Sequence, residues 1–271
     1  MRLAEPLQAC WKAHLALDFE SHGAKTVLRR KEADGPLVVQ KPFYPEGPAA
    51  CHAIVVHPPG GIAGGDELSL AVRVRQRSSA LLTTPGATKW YRSGGPWASQ
   101  ALALDVEGTL EWLPRETIVF DGALARLGGE IRLAMDAAYV GWEVVCLGRT
   151  GSGERFGRGR LALETRIVKG ERLVWYERGE IEGGGAFMRS PAGLAGHSVF
   201  GTLIAAGRDL SPSLVNRCRQ FGAVTLLPDI MVARYLGDST EEALEAFTNV
   251  WQTVRPSVIG REAVLPRIWR T

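Results

Sequence analysis

Three carboxylates, Glu111, Glu116 and Asp121, fall close together in a stretch that begins Glu111-Trp-Leu-Pro-Arg-Glu116 and is otherwise largely apolar. Carboxylates on such a background are costly to bury unless they are paired, hydrogen-bonded or bound to a metal. Two uses therefore stand open. They serve as acid, base or cation ligands in a pocket, or they form ion pairs with arginines such as Arg92, Arg115 and Arg149. A fourth carboxylate, Asp66, ends the run His57-Pro-Pro-Gly-Gly-Ile-Ala-Gly-Gly-Asp66. The glycine pairs Gly60-Gly61 and Gly64-Gly65 can present backbone amides to an anion or simply allow a tight turn.

Thr84-Pro85-Gly86 leads to Lys89, Tyr91 and Arg92, and Gly148-Arg149 leads through two further glycines to Glu154. Lys89 and Arg92 can bind an anion or pair with carboxylates on a neighbouring strand. Neither G-x-x-x-x-G-K-[ST] nor G-x-G-x-x-G fits these segments, so none is a nucleotide loop. No serine lies in a G-x-S-x-G elbow. The histidines at 14, 22, 52, 57 and 197 form no H-x-H or H-E-x-x-H pair and no cluster with cysteine, which argues against a closed metal cage.

The elements that must hold these residues are mostly strands. With 32 glycines and 15 prolines in 271 residues, a helical bundle is disfavoured. Alternation of apolar and polar residues predicts strands at 11–19, 26–31, 52–57, 68–75, 79–84, 99–106, 131–135, 140–147, 161–168 and 172–181, with Lys169-Gly170 as a hairpin turn. Two helices are expected near the C-terminus. Ser211-Pro212 caps the first and Gly222 stops it. The second starts at Ser239, with Glu242 completing a capping box. It carries Ala243, Leu244, Phe247, Val250, Trp251 and Val254 on one face and stops at Pro256. No fixed repeat and no low-complexity linker is visible, so residues 1–271 read as a single domain with the helices packed on a sheet.

Composition narrows the function classes. The net charge of +3, from 32 basic and 29 acidic residues, is too small and too dispersed for a nucleic-acid surface. No uncharged apolar run is long enough to span a membrane and no secretory signal follows Met1. Cys10, Cys51, Cys146 and Cys218 are widely spaced, as expected of free thiols in a cytoplasmic protein.

The segments HPPGGIAGGD, LTTPGATKWYRS, LEWLPRETIVFDGA, WEVVCLGRTGSGERF and WQTVRPSVIGREAVLPRIWRT together resemble the UreD (UreH) urease accessory protein family, in order and spacing, over nearly the whole chain. The last segment carries Trp251, Arg255 and the Pro266-Arg267-Ile-Trp269 ending. The resemblance implies an all-β fold, a helix-like stack of strands with about two helices near the C-terminus. It implies a scaffold without catalysis of its own, which binds apo-urease and UreF, recruits the GTPase UreG through UreF, and helps nickel reach urease. Nickel would be a transported ion and no cofactor would be held tightly.

A transport path needs shallow sites, and carboxylates, carbonyls and single imidazoles suit one better than a thiolate cage. On that basis Asp66, Glu111, Glu116 and Asp121, with His57, are expected to line or support an internal path. The alternative is a stand-alone metal-dependent hydrolase built on the glycine-rich acidic loops.

Overall fold

The computed structural model describes residues 10–270. The chain opens with an antiparallel pair, β1 (Lys12–His22) and β2 (Lys25–Asp34), followed by a two-residue β3 (Val38–Val39). From β4 (Cys51–Val56) onward it alternates between two sheets. β5 (Glu67–Val74) joins the first sheet; β6 (Ser79–Thr83) and β7 (Thr88–Trp90) join the second. β8 (Ala98–Val106) returns to the first, β9 (Thr109–Leu113) and β10 (Thr117–Val119) to the second, β11 (Leu124–Leu133) to the first, β12 (Ala138–Leu147) to the second and β13 (Arg160–Lys169) to the first.

Strands β5, β8, β11 and β13 are successive parallel neighbours, and so are β4, β6, β9 and β12. Parallel neighbours need a crossover, and here each crossover is itself a strand of the opposite sheet. The result is the expected helix-like stack. Its coils are unequal: Glu67 lies beside Ser99, Ser99 beside Arg126, and Arg126 beside Ala162. That inequality is why no fixed repeat can be read from the sequence.

β1 also runs parallel to β5, and β10 parallel to β7 and β12; beyond β13 the pairing is antiparallel. β14 (Arg172–Glu182) pairs with β13 in the hairpin the sequence predicts, but the turn is Gly170-Glu171, one residue later than expected, with Lys169 in β13 opposite Arg172 and Gly170 at φ +60°. After the single-turn helix α1 (Ala186–Arg189), β15 (Val199–Ala206) pairs with β12. Helix α2 (Pro212–Cys218), β16 (Ala223–Leu226), β17 (Ile230–Gly237) and α3 (Thr240–Val258) follow. The first sheet has the order β14-β13-β11-β8-β5-β1-β2 and the second β16-β17-β15-β12-β9-β6-β4-β3, with β10 and β7 paired off β12.

Two apolar cores result. One fills the space between the sheets, from Leu15 and Phe19 through Leu70, Leu104 and Ile131 to Ile204. The other lies between the outer face of the second sheet and the helices, from Val140, Trp142 and Val144 to Leu214, Phe247 and Trp251. β12 serves both, with Tyr139, Val145 and Leu147 in the first and Val140, Trp142, Val144 and Cys146 in the second.

Both C-terminal helices start where their caps predict. Ser211 Oγ accepts from Leu214 N at 3.2 Å and Ser239 Oγ from Glu242 N at 3.1 Å. The Glu242 carboxylate does not reach back to complete a capping box; it accepts from the Tyr235 hydroxyl at 3.0 Å. Pro256 does not stop α3, which runs to Val258 because Ile259 and Gly260 amides satisfy the carbonyls of Arg255 and Pro256. The strand predicted at 131–135 begins at Leu124 and ends at Leu133, with Met135 exposed. β15 and β17 escape prediction because both are mostly apolar through their length and lack clean alternation. No helix among the described residues is long and apolar enough to cross a membrane.

Candidate functional site

The winding brings the glycine-rich loops to one end of the stack, and the carboxylates there are fixed in place by hydrogen bonds. Asp66 is 2% exposed and accepts from the backbone amides of Ala63 and Trp11, each at 2.8 Å. It therefore pins the loop against β1. Gly65, at φ +95°, allows the bend, and a side chain at Gly61 would run into the Tyr91 ring. Tyr91 in turn stacks edge-on against Phe120.

Asp121 accepts from the amides of Gly157 (3.0 Å) and Arg158 (2.8 Å) and from the Arg158 guanidinium (2.8 Å), with Arg92 at 3.7 Å. The Arg158 hydrogen bond is the main reason its pKa is held below the carboxylate norm. Glu154 pairs with Arg149 at 2.7 Å and accepts from the Asp121 amide. These two carboxylates tie the β10–β11 turn to the loop before β13. Thr84 Oγ1 accepts from the Arg115 amide at 2.9 Å, holding the Thr84-Pro85-Gly86 turn to its neighbour.

Glu111 belongs to a different place. It sits on β9, 1% exposed, between the sheet and α3. Arg255, fully buried, donates to Glu111 through Nε (2.9 Å) and Nη2 (2.9 Å) and to Glu46 through Nη2 (2.8 Å). Trp251 Nε1 also donates to Glu111 at 2.6 Å, and Arg255 Nη1 reaches the Glu262 carbonyl. Glu46 lies 2.6 Å from His52 Nε2. Burial alone would push Arg255 down, but its two carboxylate partners outweigh that and hold its pKa above the arginine norm. Burial likewise works to raise Glu46, and the hydrogen bonds from His52 and Arg255 prevail, bringing it to about 2. The C-terminal ending closes over this cluster. Pro266 starts the turn that carries exposed Arg267, and Trp269 donates to Thr83 Oγ1 at 2.9 Å while packing on Trp251 and Trp142.

A cavity of about 470 Å³ lies between the two sheets, far more than the ~10–15 Å³ that admits one water. At one end its lining includes His57, Gly60, Gly61, Thr84–Lys89 and Arg115. It continues past Gln100, Thr165 and Tyr139 to Glu143, Glu177, Trp175 and Thr202 at the edge where β14 faces β15 and β17. Both ring nitrogens of His57 are buried without a hydrogen-bond partner, and burial lowers its pKa against the opposing charge of Asp66. Glu116 Oε2 is buried 3.5 Å from Arg115 Nε, without a hydrogen bond from the described residues.

Of the five residues expected on a path, His57 alone lines this cavity. Asp66 and Asp121 brace loops, and Glu111 is committed to Arg255. The carboxylates that do face the cavity, Glu143 and Glu177, are not among the residues singled out by sequence. A signal for Glu143 is present, since it is the lone charge in the buried strand Ala-Tyr-Val-Gly-Trp-Glu-Val-Val-Cys-Leu. Glu177 shares strand parity with the inward Trp175 and Ile181. Burial, then repulsion from Glu177, raises the Glu143 pKa to about 7. Among the described residues no three His, Cys, Asp or Glu side chains converge as a metal cage. Chemically, the cavity offers a cation one imidazole at one end and two carboxylates at the other.

The description "UreD urease accessory protein" belongs to the family whose sequence model matches residues 12–270. The chain is 48% identical to the urease accessory protein UreD of Azoarcus sp. (strain BH72) over 279 aligned positions, covering all of this chain and 98% of that protein. It is 50% identical to the urease accessory protein UreD of Dechloromonas aromatica (strain RCB), covering 96% of this chain and 95% of that one. With the UreD of Pseudomonas aeruginosa (strain PAO1) the identity is 46%, at the same coverage. From end to end of its folded core, the chain belongs to the UreD urease accessory protein family.

Proposed function

We propose that this protein is a maturation scaffold for urease, without turnover of its own, whose cavity between the sheets passes nickel toward apo-urease. The observation that carries the reading is the polar and acidic lining of an otherwise apolar interior, from His57 to Glu143 and Glu177. A core built only to pack would not place Glu143 there, because enclosing charge without partners is unfavourable. A lone imidazole and a pair of carboxylates bind a divalent ion weakly enough to let it go. The Arg255 cluster ties α3 and the C-terminal ending to the second sheet, and the braced loops fix the His57 end of the cavity.

On this reading the protein docks to UreF, meets the GTPase UreG through UreF, and contacts apo-urease, so that GTP chemistry stays with UreG. The relatives' shared description as urease accessory proteins supports the assignment. The test is reconstitution of nickel-dependent urease activity from apo-urease, UreF and UreG with and without this chain, with co-purification read in parallel. The expected result is assembly and activation only when the chain is present. Normal activation in its absence, or turnover of a small molecule by the chain alone, would overturn the proposal.

A further inference from the structure

At the Glu143–Glu177 end of the cavity one side chain ties lining residues together. Arg234 lies on β17 beside Thr202 of β15, on the side of the second sheet that carries Ile230 and Val232 into the core between the sheets. Its Nη1 donates to Glu177 Oε1 at 2.7 Å and to Thr202 Oγ1 at 2.7 Å, and its guanidinium lies over the Trp175 ring at 5.2 Å. Glu177, Thr202 and Trp175 are the lining residues at that end. One guanidinium thus touches three lining residues on two strands, β14 and β15. Glu143, next to Glu177, receives no hydrogen bond or ion pair from the described residues and faces the cavity. Arg234 is itself 44% exposed as a side chain, so it can leave its seat without unfolding the strand.

Resting on the reading of the cavity as a cation path, we propose that Arg234 is a resident counter-ion and plug, which a divalent cation must displace to sit between Glu143 and Glu177. A guanidinium on Glu177 occupies the oxygen that an incoming ion needs and adds a repelling charge a few ångströms away. With Arg234 seated, the charge of Glu177 is balanced; with Arg234 swung out, two carboxylates face the ion. Thr202 and Trp175 hold the seated form, so the swing has a defined starting point. The plug makes passage conditional on whatever draws Arg234 outward, such as an acidic group on a docked partner at the β14–β17 edge.

Equilibrium dialysis of the full chain against Ni²⁺ at neutral pH and low salt separates the two ideas. Glu143→Gln and Glu177→Gln test the site, Arg234→Ala tests the plug, and Arg172→Ala is the control, because Arg172 pairs with Asp229 on the same edge outside the cavity. Arg234→Ala is expected to tighten Ni²⁺ binding by about tenfold, since it removes one competing charge at close range. Arg172→Ala should leave binding unchanged, and either glutamine variant should abolish the site. If Arg234→Ala binds no tighter, or Arg172→Ala tightens equally, the plug is overturned and the path stands. If both glutamine variants bind Ni²⁺ like the parent protein, the path reading fails with it.

Discussion

Two acidic regions of this molecule are built on opposite terms. Around Arg255, Glu111 and Glu46 share one guanidinium with support from Trp251 and His52, and hydrogen bonds reach both carboxylates. At the far end of the cavity, among the described residues, Glu143 has no direct partner and Glu177, itself 38% exposed, has one, a half-exposed arginine. The first arrangement holds helix, sheet and C-terminal ending together, and among its polar side-chain atoms only His52 Nδ1 is buried without a hydrogen bond from the described residues. The second leaves its carboxylates short of partners at a partly open end of the cavity, which is what a transient cation site requires. The difference teaches that buried charge alone does not mark a functional residue; the unfilled hydrogen-bonding capacity does.

The sharpest way to break this contrast is to remove Arg255. Arg255→Ala strands two buried carboxylates and should cost about 3–5 kcal/mol of stability, read from urea unfolding midpoints at constant slope. A cost below 1 kcal/mol would erase the distinction between the regions.

The pH dependence of Glu46 is the next largest effect. Its pKa is depressed in the fold, from 4.5 to about 2, so its contribution is complete above about 4.5 and is lost as pH falls toward 2. On the order of 3 kcal/mol is at stake. The stability gap between the parent protein and Glu46→Gln should shrink across that window, and a gap independent of pH would rule the linkage out.

Glu143 has the opposite sign. With its pKa raised to about 7, its penalty is absent below about 4.5 and grows as pH rises to 7, by roughly 1–3 kcal/mol. Glu143→Gln should therefore be more stable than the parent protein at pH 7.5 and equal to it at pH 4.5. Thermal melts at the two pH values decide this.

Sequence made much of the frame legible and little of the site. Alternation found most strands of the first sheet, because those strands keep one face toward the core between the sheets and the other toward solvent. It missed β15 and β17, where covering helices on one face and the inter-sheet core on the other remove the alternation. Ser211 and Ser239 marked the starts of α2 and α3 because capping is local chemistry. The motif carboxylates drew notice for a reason that the fold explains differently. Asp66, Asp121 and Glu154 recur beside glycines because they accept backbone amides in tight turns, and Glu111 answers an arginine 144 positions away, which no local spacing reveals. Glu143 and Glu177 come together only through the winding, from strands in different sheets.

Two smaller effects sharpen the comparison. Ser239→Ala removes the α3 cap, at about 1 kcal/mol, and should loosen the Arg255 region without touching Ni²⁺ binding, as amide exchange in α3 would report. Arg234→Ala should change stability by less than about 1 kcal/mol, because its ion pair is largely solvent-exposed. A larger loss in unfolding experiments would recast Arg234 as a structural residue.

The central claim is that cavity carboxylates pass nickel while the Arg255 cluster only holds the frame. Its most direct test is nickel-dependent activation of apo-urease by the reconstituted assembly carrying Glu143→Gln and Glu177→Gln together. The account predicts a complex that assembles normally and delivers little or no urease activity. Full activation by that doubly substituted assembly would contradict it.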